Sequence, residues 1–160
     1  MKKIKIITLL LLSSLLITCK KEDMPVDGKY VASIADVEFL PIVKGTVNGK
    51  VAYFILDSGA SVSILDYNQL ADYNIKSVGV SDVGVVGYGG SDFKSYDIDN
   101  PTIFMGNEKM EQDFNARDIK TIVNTVSKNS KYKIIGIIGN NNISSSKLIL
   151  DFKNNKITKW

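Results

Sequence analysis

An apolar run, Ala52-Tyr53-Phe54-Ile55-Leu56, delivers a single acid, Asp57, onto Ser58-Gly59-Ala60. The run has the length and the aromatic and branched content of a buried strand. A carboxylate at the end of such a strand is costly to desolvate unless it is paired or has chemical work to do. Gly59 fits a tight turn that needs a permissive backbone. Ser61-Val62-Ser63-Ile64-Leu65 then leads away as a second short strand. The segment reads as strand, acidic turn, strand.

The 160 residues suffice for one ordinary domain with its own core. Histidine is absent. This excludes Ser-His-Asp and Cys-His nucleophile pairs. It also excludes most zinc sites, because the one cysteine cannot replace the missing imidazoles. Acid–base chemistry is left to carboxylates, Tyr or Lys. The sequence indicates no metal and no organic cofactor.

Residues 1–18 read as an export signal. Lys2, Lys3 and Lys5 are followed by an apolar stretch from Ile6 to Ile17, short for a membrane span. Leu15-Leu16-Ile17-Thr18-Cys19 resembles the lipobox of bacterial lipoproteins, although Thr18 stands where Gly, Ala or Ser is usual. The resemblance implies that Cys19 is lipidated and becomes the mature N-terminus. It implies a protein anchored in the bacterial cell envelope, at the outer membrane or cell surface if the cell is Gram-negative. The three leader lysines equal the whole net charge of +3, so no argument for nucleic acid survives their removal. Residues 19–35 read as a polar tether, and 36–160 as the folded domain.

The domain reads mainly as short strands separated by turn signals. A strand is expected over residues 38–47, and Asn48-Gly49 is a type I′ turn signal ahead of the strand 50–56. Asp66 with Gln69 predicts a capped short helix ending near Ile75. Residues 78–86 and 91–99 read as a hairpin crowned by Gly87-Tyr88-Gly89-Gly90. Further strands are expected over 101–105 and 110–116. Ile119, Ile122, Val123 and Val126 have the spacing of a helical stripe, assigned to the core. Ile134-Ile135-Gly136-Ile137-Ile138-Gly139 reads as a buried strand. Residues 140–146 read as a polar turn or weak helix, and 148–160 as a closing hairpin.

The acidic turn, the glycine-rich hairpin and the later Ile137-Ile138-Gly139 together resemble the retropepsin-like aspartic proteases over residues 38–158. The resemblance implies a mainly β, single-lobe acid-protease barrel with one or two short helices. It implies that Asp57 is catalytic and that Ser58, Gly59 and Ala60 support the active loop, with Ser58 bracing a junction. Gly87, Tyr88, Gly89 and Gly90 would form a flap over the substrate. Ile137, Ile138 and Gly139 would cross beside the active loop, where Gly139 serves close packing.

Hydrolysis by this chemistry needs water held between two carboxylates that share a proton. The chain carries one such motif, since Asp151 is followed by Phe152-Lys153 and lacks the Gly turn. Asp82, Asp92, Asp97 and Asp99 read as solvated acids. The resemblance therefore implies a homodimer with one Asp57 from each subunit, acting on a peptide or protein substrate. Two alternatives remain: an inactive member of the same fold that binds peptides or a partner, and an envelope structural domain.

Overall fold

The pattern of alternating apolar residues resolves into a mainly β domain with short helices. The computed structural model describes residues 28–36, 38–81 and 94–160. Cys19 and the expected flap tip, Gly87, Tyr88, Gly89 and Gly90, lie outside the described residues.

In chain order the strands are β1 (Lys29–Asp36), β2 (Ile42–Val47), β3 (Lys50–Asp57) and β4 (Ser63–Asp66), followed by a 3-10 helix over Tyr67–Tyr73. Next come β5 (Ser77–Val80), β6 (Ser95–Ile98), β7 (Ile103–Met105), β8 (Glu108–Lys109) and β9 (Phe114–Arg117). Helix α1 (Lys120–Asn129), β10 (Ile134–Gly139), helix α2 (Asn140–Ser145), β11 (Leu148–Asp151) and β12 (Lys156–Lys159) complete the domain. The β2–β3 turn places Asn48 at φ 48° and Gly49 at φ 79°. Two consecutive positive φ values are what a type I′ turn requires.

The sheet runs β11-β12-β1-β2-β3-β10-β4-β9-β6-β5, with β7 against β2 and β8 against β7. At its centre, β10 pairs parallel with β3 on one side and antiparallel with β4 on the other. Period-two alternation sends β3 side chains to two apolar clusters. Phe54 and Leu56 join Leu65, Ile135 and Ile138 in the larger one. Ile55 joins Ile42, Ile64, Ile134 and Ile137 in the other, which Ile119, Val123 and Val126 cover.

Several expectations are corrected. Residues 29–35 are not tether. They form β1, which pairs with both β12 and β2 and buries Val31, Ala32 and Ile34. The strand expected from residue 38 starts at Ile42, because Pro41 has no N–H to donate. Pro41 instead accepts a hydrogen bond from Leu56 N through its carbonyl, at 2.9 Å. The strand expected over 110–116 begins only at Phe114, as β9, and the short β8 precedes the expected range. In the helical stripe Ile122 is 45% exposed, so only Ile119, Val123 and Val126 are core. The helix after Asp66 is 3-10, and Asn74 in the left-handed region (φ 57°) terminates it. Gln69 does not close a backbone capping box. Its amide donates to Asp66 Oδ2 and to the Ile134 carbonyl.

Ile138 is fully buried on β10. Ile138→Ala should lower stability by about 2–5 kcal/mol, read as a drop in the urea midpoint at unchanged slope. A loss below about 1 kcal/mol would show that the β10 core is not tightly packed.

Candidate active site

Asp57 is the last residue of β3, and its side chain is exposed. The turn that follows folds back on it. Ala60 N donates to the Asp57 carbonyl at 3.2 Å, and Gly59 N donates to Asp57 Oδ1 at 2.9 Å. The turn thus closes through the backbone and fixes the carboxylate at once. Gly59 does not adopt a left-handed φ, which corrects the expectation of a permissive turn conformation. A Cβ on Gly59 would lie 3.1 Å from Asp57 Oδ1. The glycine therefore serves close approach to the carboxylate.

Gly139 stands directly opposite Asp57 in the parallel β3–β10 register. A Cβ there would lie 2.5 Å from the Val62 carbonyl oxygen and 2.9 Å from that of Ala60. Those distances leave no space for any other residue. Immediately after Gly139, Asn140 N donates to Ala60 O at 2.7 Å. The end of β10 and the acidic loop are thus locked edge to edge. Ile138 is buried in the larger cluster, and Ile137 in the other.

Three residues that sequence reasoning missed hold this junction. Ser63 is fully buried at the start of β4. Its Oγ accepts from Gly139 N at 3.0 Å and from Asn142 Nδ2 at 2.9 Å, and donates to Asn141 Oδ1 at 2.7 Å. Asn142, also fully buried, accepts from Gln112 N at 3.0 Å through Oδ1. Asn141 Nδ2 donates to the Asp113 carbonyl at 3.1 Å. The available signal was a serine opening an apolar strand, followed later by an Asn run of poor helix propensity. A buried hydroxyl needs partners, and the Asn run supplies them.

Ser58 is exposed and makes no side-chain hydrogen bond to the described residues. Strand alternation puts Asp57 on the same sheet face as Ile55. Ala60 and Val62 pack against the cluster on that face. The carboxylate therefore shares a sheet face with the apolar cluster that includes Ile55. A separate groove of about 560 Å³ between the 3-10 helix and α1, lined by Gln69, Lys120 and Val123 among others, does not include Asp57.

Three other described acids are engaged elsewhere. Asp97 accepts from Asn115, Asp99 from Lys76 N, and Asp151 from Asn154. Asp82 and Asp92 lie outside the described residues. The β5–β6 ladder pairs Val80 with Tyr96 at the base of the expected flap. Among the described residues, no group of three or more His, Cys, Asp or Glu could hold a metal ion.

No protein-family model and no curated protein matches the chain. Among solved structures, it is similar to the EIAV protease complexed with the inhibitor HBY-793. That match has 18% identity and a TM-score of 0.48, and covers 69% of this chain and 90% of that one. It is also similar to the retroviral protease-like domain of Ddi1 from Leishmania major. There the identity is 15% and the TM-score 0.49, with 82% of this chain and 90% of that one covered.

Ser63→Ala would strip Gly139 N and Asn142 Nδ2 of a buried acceptor. It should cost about 1–3 kcal/mol. Amide exchange at Gly139 should accelerate with it. Unchanged stability and unchanged exchange would show that the hydroxyl does not hold the loop.

Proposed function

We propose that this protein is a retropepsin-like aspartic endopeptidase that works as a homodimer. The observation that carries the proposal is Asp57 itself. It is exposed at the end of β3, opposite the end of β10, with one oxygen fixed by Gly59 N, and the sequence carries one such Asp-Ser-Gly turn. Twofold symmetry supplies the missing acid from the partner.

In the dimer one carboxylate acts as base and takes a proton from the trapped water. The water oxygen forms a bond to the peptide carbonyl carbon. The other carboxyl, protonated, gives its proton to the carbonyl oxygen. Collapse of the tetrahedral species breaks the C–N bond, and the leaving nitrogen takes up a proton. Ser58 on each chain braces the paired loops across the junction. Gly87, Tyr88, Gly89 and Gly90 form the flap that pairs with substrate backbone and excludes water. Lipidation of Cys19 anchors the domain in the cell envelope, and the mass of the mature N-terminus tests this. A diacylglyceryl-modified Cys19 is expected, and a free thiol at that position would remove the anchor.

Asp57→Asn should reduce cleavage of a mixed peptide library at mildly acidic pH by at least about 100-fold, with unchanged far-ultraviolet dichroism. Equal cleavage by both proteins would overturn the assignment. Peptide binding without turnover by either would make the domain a binder.

A further inference from the structure

At one end of the sheet, β11, β12 and β1 lie side by side. Their registers sort side chains onto two faces. Leu148, Leu150, Ile157 and Ala32 pack on the larger apolar cluster. Tyr30, Thr158 and Ile149 form one cross-strand row on the opposite, outer face. None of these three belongs to either apolar cluster. Tyr30 is exposed, and its hydroxyl meets Ser33 Oγ at 2.9 Å, so the ring lies along the strand. Trp160 follows β12 directly and is 63% exposed. Its N–H donates to the Lys147 carbonyl at 3.4 Å, which keeps it beside β11.

The surroundings of this face are cationic. Residues 147–160 hold four lysines and one acid, Asp151, whose carboxylate accepts from Asn154. Lys159 pairs with Glu108 at 2.6 Å. Lys147, Lys153 and Lys156, and Lys29 on β1, have no ion pair with a described residue.

The chain also enters the domain here. A Cβ on Gly28 would lie 2.7 Å from the Lys159 carbonyl oxygen and 3.0 Å from Thr158 Cβ. Fully extended, the chain from Cys19 to Gly28 reaches at most about 32 Å. A lipid on Cys19 therefore keeps this end of the domain within that distance of the bilayer.

We infer that the outer face of β1, β12 and β11 rests on the membrane surface, with Tyr30, Ile149 and Trp160 among the lipid headgroups and the unpaired lysines on anionic lipid. The inference goes beyond the protease reading and rests, for its anchor alone, on lipidation of Cys19. Tyr and Trp suit the headgroup region because each has an apolar body and a polar group that stays wet. Lysines lay their stems on the apolar surface and keep their ammonium groups at the phosphates. A second copy seated on this face by twofold symmetry would bring lysines against lysines, and an anionic surface neutralises them instead. The tether makes the contact intramolecular, so a weak interaction suffices to hold the domain down.

Trp160 is the only tryptophan of the chain, so its fluorescence reports this face alone. The lipidated full chain is reconstituted in vesicles of phosphatidylcholine and phosphatidylglycerol, with and without bromine on the acyl chains. Trp160 should lose at least about half of its emission to the brominated lipid, as expected of groups buried at the headgroup–acyl boundary. It should also be shielded from acrylamide. Full access to acrylamide with no quenching by bromine would overturn the docking. Shielding from acrylamide without quenching by bromine would mean that a second copy covers the face, and would overturn it equally. Replacing Lys147, Lys153 and Lys156 by Gln should weaken docking about fivefold for each lysine removed. Equal quenching in vesicles of phosphatidylcholine alone would overturn the role of charge. The mass of the same sample reports the anchor separately. A free thiol at Cys19 would end the anchor reading, and coupling that thiol to a maleimide-bearing lipid would then test the docking by the same quenching.

Discussion

The close passage of Gly139 beneath the 60–62 backbone is the contact on which the site depends. Two carbonyl oxygens occupy the space where a side chain would begin. The proximity is useful because polar groups ring it. Asn140 N reaches Ala60 O, and Gly139 N reaches Ser63 Oγ. A parallel strand pair at the centre of an otherwise largely antiparallel sheet has no hairpin to fix it. Here the register is fixed by these bonds and by the two-sided burial of β10, all six of whose residues are buried. β10 anchors the end of β3, and Gly59 N holds one oxygen of the carboxylate that strand carries. The site is thus built on strand ends rather than on a free loop, which favours a defined position for Asp57.

Much of this was legible in the sequence, for physical reasons that differ by element. The Asn48-Gly49 turn was legible because few dipeptides tolerate two positive φ values. The β10 strand was legible because its apolar run is continuous, as double-sided burial demands. The acidic turn was legible because a charge so close to a buried strand needs a reason. By contrast, β1 was hidden. Lys29 and Tyr30 are exposed, and only Val31, Ala32 and Ile34 show the buried side, an irregular pattern beside a polar stretch. A bulge between Tyr30 and Ala32 breaks the period-two signal. Gly59 was read for the wrong property, since its lack of a side chain matters more there than its φ. The Asn run after Gly139 was judged by helix propensity alone. Its function is to satisfy Ser63 and Gln112, and that requirement is visible only when the strands are paired. The local signal and the tertiary requirement were in conflict, and the tertiary one prevailed.

The domain presents the Asp57 carboxylate to water, with one oxygen held by Gly59 N and the other unengaged among the described residues. On the proposed reading, that is half of an acid–base pair. Bringing two such groups together adds no attraction, because like charges at short range repel unless they share a proton. An association of two copies, as proposed, must therefore draw its free energy from surfaces other than the acids.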